Sequence, residues 1–300
     1  MKCKEILYKG KRFLEASDGK IEIYIALDFG MRISRLAFCG GQNFFCENMP
    51  DFADENKEKW KLYGGHRLWH TPEDKARTYE PDNFPVKYEM NGNVITVTQN
   101  QEKNGIIKMV RIRFAGNNSI SVEHELKNGG QWEIETAAWC LSVMAGGGLA
   151  IVPQNGEDTG LLGNRVLGIW PYTKLTDKRF YLGDEFISVK SETGSVPPFK
   201  IGTNNTHGYV GYILNNQLFV KKFDYDKNEL YPDFNNNFEL YTNNFMIELE
   251  SLSPITLLDK GESIIHTEEW FLFDKTSLPG SRDEGAFKKL FSELKVTNNK

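Results

Sequence analysis

Cysteine is scarce in this sequence, and the four residues present, Cys3, Cys39, Cys46 and Cys140, form no CxxC pair and no other metal-ligand spacing. This argues against a disulfide framework or a zinc ribbon and leaves reduced, mostly buried thiols as the expectation. A dense basic run is also missing. Against 41 Asp and Glu there are 36 Lys and Arg, a formal charge of −5, without the electrostatic footprint that nucleic-acid binding requires. No apolar stretch is long enough to span a bilayer, and the N-terminal MKCKEILYKGKRFLEASDGK has no apolar core of signal-peptide length. The expectation is a protein without nucleic-acid or membrane partners, placed in the cytoplasm by its free thiols. HExxH, internal repeats, low-complexity tracts and linkers are all absent, and helix signals are few.

What is present is alternation. The chain is 40% hydrophobic and 13% aromatic over 300 residues, enough to bury a large core without metals or disulfides. All-β sandwiches exceed the usual domain size as one unit, so residues 1–300 read as a single domain. Apolar and polar residues alternate from end to end between Gly, Asn and Asp turns, predicting antiparallel strands. Lys20 to Ile25 precedes Ile33 to Phe38, Val86 to Met90 turns at Asn91-Gly92-Asn93 into Val94 to Gln99, and Ile106 to Phe114 turns at Gly116-Asn117-Asn118 into Ser119 to Leu126. Further strands are predicted at 136–144, 149–153, 186–190, 209–214, 217–223, 238–242, 245–252 and 263–273. This is too many for one small sandwich. A short helix is predicted after a Ser281 cap, with Phe287, Leu290, Phe291 and Leu294 on its packed face. Asp51 to Lys61 reads as another turn or two of helix, and Glu192 to Lys200 as a Pro- and Gly-bearing loop of a length that lines a cleft.

Three segments carry candidate chemistry. In Tyr63-Gly64-Gly65-His66-Arg67-Leu68-Trp69-His70 the glycines permit close backbone approach, while an imidazole, a guanidinium and an indole supply an acid, a hydroxyl clamp and a stacking face. The plainer reading is a surface loop whose Trp69 plugs the core. A metal pair of His66 and His70 needs a helix that Gly65 and Pro72 oppose. The second segment, Asn164-Arg165 through Trp170-Pro171-Tyr172, mixes aromatic and polar groups as a cleft wall does; equally, Arg165 and Asp177 form a structural ion pair.

The third segment is the most informative. On a strand over 245–252, period two puts Met246, Glu248, Glu250 and Leu252 on one face and Ile247, Leu249 and Ser251 on the other. Two partly buried carboxylates roughly 7 Å apart raise each other's pKa, which poises a general base; on a solvated face they are ordinary outward-facing residues. Glu239 and Tyr241 on the preceding strand join that face. Lys200 and His207 either point into a cleft or are solvated loop residues.

Taken in order, Asp28-Phe29-Gly30-Met31-Arg32-Ile33, Gly41-Gln42-Asn43, Leu62-Tyr63-Gly64-Gly65, Leu249-Glu250-Ser251 and Lys260-Gly261-Glu262-Ser263 resemble the galactose mutarotase-like (aldose 1-epimerase-like) family. The finer pattern, including Tyr231-Pro232-Asp233, looks like an uncharacterised bacterial branch. The resemblance spans nearly the whole chain. It implies an all-β fold, a large antiparallel β-supersandwich with a few short helices, a carbohydrate cleft and a place in carbohydrate metabolism. It also implies that Glu250, matching the glutamate of a Leu-Glu-Thr strand, takes the proton from the anomeric hydroxyl. The family's acid has no counterpart: Tyr63 stands at one of its histidine positions, and Ala138-Trp139-Cys140-Leu141-Ser142 holds no histidine at the other. His66, three residues past Tyr63, is the substitute considered.

Three functions follow. The first is an aldose 1-epimerase with Glu250 and His66 as the catalytic pair, needing no cofactor or metal because proton transfer suffices. The second is a non-catalytic sugar-binding or sensing protein. The third, a glycoside-processing enzyme with paired carboxylates, is weaker, because same-strand neighbours do not flank a scissile bond from opposite sides. Arg67, Trp69, Arg165, Trp170, Tyr172, Lys200, Glu239 and Glu248 are the expected sugar-binding residues, and Trp69, Trp170, His66, Arg67 and Glu250 are expected at one cleft.

Overall fold

The computed structural model describes residues 1–47, 59–194 and 196–294. In chain order the strands are β1 Lys2–Tyr8, β2 Lys11–Ser17, β3 Ile21–Ala26, β4 Arg32–Phe38, β5 Gly65–His70, β6 Lys87–Asn91, β7 Val94–Thr98, β8 Ile106–Gly116, β9 Ser119–Asn128, β10 Ile134–Thr136 and β11 Ala138–Ala145. The second half adds β12 Leu149–Pro153, β13 Leu167–Ile169, β14 Phe180–Leu182, β15 Phe186–Lys190, β16 Phe199–Thr203, β17 Tyr209–Leu214, β18 Gln217–Phe223, β19 Phe238–Thr242, β20 Met246–Leu252, β21 Thr256–Leu258 and β22 Ser263–Phe273. Among the described residues these form two ten-stranded sheets and the small β10–β21 pair, all antiparallel. The first sheet runs β1-β2-β3-β4-β5-β11-β20-β19-β16-β13, and the second β14-β15-β12-β17-β18-β22-β9-β8-β7-β6. The fold is the large antiparallel sandwich expected from the alternation.

Side chains alternate across each strand, so every strand of the first sheet sends one set inward and the other outward. The inward set of β11, Ala138, Cys140 and Met144, packs with Ile247 and Leu249 of β20 and with Val122, Phe219 and Trp270 of the second sheet in one continuous core. The helix Glu284–Glu293 covers the outer face of the second sheet, seating Phe287 and Phe291 on Ile151, Phe186, Tyr209 and Ile213, with Leu290 and Leu294 half-buried beside them. Its cap is Asp283, whose carboxylate accepts from the Ala286 N–H, and not Ser281. The short turn Pro232–Asn235 has left-handed backbone at Asp233 and Phe234 and so is not a regular helix.

Several strands escaped the sequence reading. The Gly65–His70 segment, read as a loop, is a strand buried on both faces, so it lacks the polar-outward alternation that marks a half-exposed strand. Its entry demands glycine: Gly65 has φ +73°, and a Cβ there would lie 2.6 Å from the Ile33 carbonyl oxygen. Phe199 and Lys200, placed at the end of a loop, begin β16. The N-terminal β1 and β2 were also missed, as were the short β13, β14 and β21. Most of the helix expected at Asp51 to Lys61 lies outside the described residues. Of the four free cysteines only Cys140 is buried; Cys3 and Cys46 are half-buried and Cys39 is exposed. No helix of the described residues is long and apolar enough to cross a membrane.

Candidate active site

The outer face of the first sheet carries a cleft of about 450 Å³. Strand register fixes its floor. Reading across β5, β11, β20, β19 and β16, one row is Arg67, Leu141, Glu250, Glu239 and Gly202; the next is Gly65, Val143, Glu248, Tyr241 and Lys200. Trp69 and Trp139 face each other one step further along. All lie on the outward parity of their strands, so β20 does present Glu248 and Glu250 on one face. Trp60 and Tyr79 rise beside Trp69 at one side of the cleft, and Trp170, Tyr172 and Tyr241 beside Lys200 at the other.

Two cations and three carboxylates sit on this floor. Lys200 lies between the Trp139 and Trp170 rings, its Nζ 4.7 Å from each centroid. It pairs with Glu239 at 2.7 Å and Glu250 at 3.0 Å. Burial pulls the Lys200 pKa down, but the two carboxylates outweigh it and hold the ammonium above its ordinary range. Trp139 Nε1 donates to the same Glu250 oxygen at 2.8 Å. Arg67 stacks on Trp69, guanidinium carbon to ring centroid 3.7 Å, and its Nη2 approaches Glu248 Oε1 at 3.6 Å. Burial lowers the Arg67 pKa to about 10, which still leaves it charged at neutral pH.

The carboxylates are not equivalent. Burial, reinforced by the charge of Glu250, raises Glu248 to about 7, with Arg67 and Lys200 pulling the other way. Burial also lifts Glu239 well above the carboxylate range, more than Lys200 lowers it. Glu250 is 0% exposed and covered by Lys200 and Trp139, whereas Glu248 lines the open cleft. Arg67 Nε and Nη1 and Glu250 Oε1 are buried without a hydrogen-bond partner among the described residues. Native proteins seldom leave such atoms bare; here Arg67 lines the cavity, and Glu250 lies buried beneath it.

The structure therefore brings together Arg67, Trp69, Trp170, Tyr172, Lys200 and Glu248, with Glu239 and Glu250 beneath them. His66 is not among them. Adjacent to Arg67 on a strand, it has the opposite parity and points into the sandwich, 2% exposed, so the shared-cleft expectation fails for this residue. No histidine lines the cleft among the described residues. Arg165 also lies outside it, donating its Nε–H to the Asn155 carbonyl, and the expected pair with Asp177 does not form because Arg179 holds that carboxylate. Lys200 is not a solvated loop residue but a buried strand residue; His207 is exposed on the rim of a different groove. Trp60, Tyr79 and Trp139 were missed as cleft residues. For Trp139 a signal existed, since outward parity on the predicted strand 136–144 places it with Leu141.

His66 belongs to a buried polar network between the sheets. His124 Nδ1 lies 2.9 Å from the His266 carbonyl, an acceptor only, so this nitrogen carries the proton. His124 Nε2 then accepts from His66 Nε2 at 2.7 Å, and His66 Nδ1 accepts from the Ser142 hydroxyl at 2.9 Å. His266 donates to Ser251, Ser251 and Trp270 donate to Glu268, and Lys221 pairs with Glu268 at 2.7 Å while reaching the carbonyls of Cys140 and Leu249 on the facing sheet. Burial lowers the pKa of all three histidines. His66, His124 and Glu268, and likewise Cys140, His266 and Glu268, bring ligand-type atoms within 4.8 Å of one another. In both sets Lys221 already neutralises Glu268, and the imidazole nitrogens are engaged in hydrogen bonds, which fits a structural network better than an ion site. The other proposed metal partner, His70, faces Glu102 at 3.6 Å, well away from His66's partners.

No protein-family model and no curated protein matches the sequence. Solved structures do match in fold. A candidate aldose 1-epimerase from Klebsiella pneumoniae superposes with a TM-score of 0.61 at 13% identity, covering 99% of this chain and 88% of that one. A galactose mutarotase-like protein from Lactobacillus casei gives 0.52 at 12% identity, covering 87% and 100%. A TPR-domain containing protein from Parabacteroides distasonis gives 0.58 at 14% identity over 90% of this chain, which spans only 49% of that longer protein. The chain has the galactose mutarotase-like fold.

Proposed function

We propose that the cleft binds an uncharged aldose and interconverts its anomers by proton transfer to a carboxylate of β20. The observation that carries this reading is a cavity whose sides are aromatic and whose floor carries the Glu248 carboxylate and Arg67, with Arg67 Nε and Nη1 buried and unpartnered among the described residues. Sugars present apolar C–H faces and a belt of hydroxyls, which those two kinds of surface complement. Each of the two cations already has a carboxylate neighbour, Glu248 for Arg67 and Glu239 and Glu250 for Lys200, so neither is a free anchor for a phosphate. The four free thiols fit a cytoplasmic protein.

The resemblance implies Glu250 as the base. The geometry favours Glu248, because it lines the cleft while Glu250 Oε2 is occupied by Lys200 and Trp139. In ring opening Glu248 takes the anomeric hydroxyl proton, the O–H electron pair becomes the C1 carbonyl, and the C1–O5 pair leaves to O5, which is protonated by water. The resulting hydroxide recovers the proton from Glu248. Polarimetry on freshly dissolved α-glucose and α-galactose tests this. Glu248→Gln is expected to slow interconversion about a hundredfold with binding kept within a few-fold. A stronger kcat loss in Glu250→Gln than in Glu248→Gln would return the role to Glu250.

The absence of a cleft histidine favours a second reading, a sugar-binding protein without catalysis. It prevails if the wild type binds an aldose in calorimetry yet never exceeds the spontaneous rate.

A further inference from the structure

The cleft is wider than one sugar ring. Its floor runs from Arg67 on β5 across β11, β20 and β19 to Lys200 on β16, four strand intervals or roughly 19 Å. A pyranose falls well short of that span. The aromatic groups are also divided in two. At the β5 side Trp60 and Tyr79 pack edge-to-face at 5.2 Å, and at the β16 side Tyr172 and Tyr241 pack at 6.4 Å with Trp170 over Lys200. These five rings are half-buried or exposed and keep part of their surface in the cleft, even where Lys200 sits over one side of Trp170 and Arg67 over one side of Trp60, whereas Trp69 and Trp139 are spent in the floor. Between the two groups lie the charged side chains Arg67, Glu248 and Lys200.

An apolar platform at each end and a polar floor between them is the arrangement that a chain of sugar rings fills. We infer that the cleft takes a glycan of at least two sugar units, one ring against Trp60 and Tyr79 and another against Trp170 and Tyr172, in preference to a free monosaccharide. This rests on the carbohydrate reading above and specifies its substrate class. Both floor cations already face carboxylates, which fits a neutral glycan. A single sugar occupies one platform and leaves the other in water, so a second unit adds contact area without displacing the first. Aromatic stacking on a sugar face is worth enough to register as an affinity step.

Titration calorimetry with glucose, maltose, maltotriose, cellobiose, cellotriose and lactose tests the inference on the wild type without any substitution. The expected result is at least tenfold tighter binding of one di- or trisaccharide than of glucose. Trp60→Ala and Trp170→Ala are each expected to lower affinity for that oligosaccharide about tenfold. Circular dichroism and the more conservative Trp→Phe changes verify folding. Equal affinity for glucose and every oligosaccharide overturns the inference and leaves the carbohydrate reading standing. Failure to bind any of the six sugars, or galactose, removes both.

Discussion

Glu239 and Glu250 stand directly opposite each other on neighbouring antiparallel strands, and both reach the same ammonium, Lys200 Nζ, at 2.7 and 3.0 Å. Like charges directly across a strand pair repel, and here one lysine between two indoles holds them together.

Removing that lysine leaves two buried carboxylates facing each other. Lys200→Met is expected to destabilise the fold by about 3–5 kcal/mol, the usual cost of breaking a buried pair from one side. Adding Glu239→Gln to Lys200→Met is expected to recover part of the loss. Urea unfolding of the single and double variants at neutral pH measures both. A single variant within about 1 kcal/mol of wild type would mean that water already reaches the cluster.

The proposed anomer interconversion, with Glu248 as base, carries a pH dependence. A base works ionised, so the rate is expected to rise with pH through about 7 and then level off, and Glu248→Gln to abolish that limb. Burial raises this position most; Glu250 and Glu73 add to it, and Arg67 and Lys200 lower it. Arg67→Ala is therefore expected to move the limb to higher pH. A polarimetric profile from pH 5 to 9 that stays flat in wild type contradicts the assignment.

Acid stability reports on the interior. His66, His124 and His266 are held neutral by burial, with folded pKa values below the unfolded 6.5 and His266 at about 3. Their contribution is complete above about pH 6.5. It is lost as pH falls toward the folded values, at about 1.4 kcal/mol per pH unit for each proton that only the unfolded chain binds. Glu248 has the opposite sign: its folded pKa of about 7 lies above the unfolded 4.5, so its contribution is present at low pH and fades as pH rises through 7. Thermal melts at pH 5 and 8 are thus expected to show a larger acid loss in Glu248→Gln than in wild type. An equal or smaller loss would show that Glu248 is not raised.

Local chemistry made much of this legible. On β20 a two-residue period suffices to place Met246, Glu248 and Glu250 together, because parity within a strand depends on nothing outside it. The turns at Gly92 and at Asn117-Asn118 are equally local, since left-handed backbone there favours those residues. His66 shows where the reading failed and why. Parity separates it from Arg67, but only once Gly65–His70 is known to be a strand, and with both faces buried the segment carries no alternation to announce it.

The sequence by itself determined the β class, most of the central strands and the outward face of β20, because each follows from spacing along the chain. Only the tertiary structure decided what those residues became. Lys200 comes from 50 residues away to cover Glu250 and leave Glu248 facing the cleft. Trp139 meets Trp69 because β11 happens to pair with β5 in that register. The poise of Glu248 near neutrality is a balance of burial and the Glu250 charge, which raise it, against Arg67 and Lys200, which lower it, and these three groups lie on three different strands. Such a balance depends on distances through space, and no spacing along a chain encodes it.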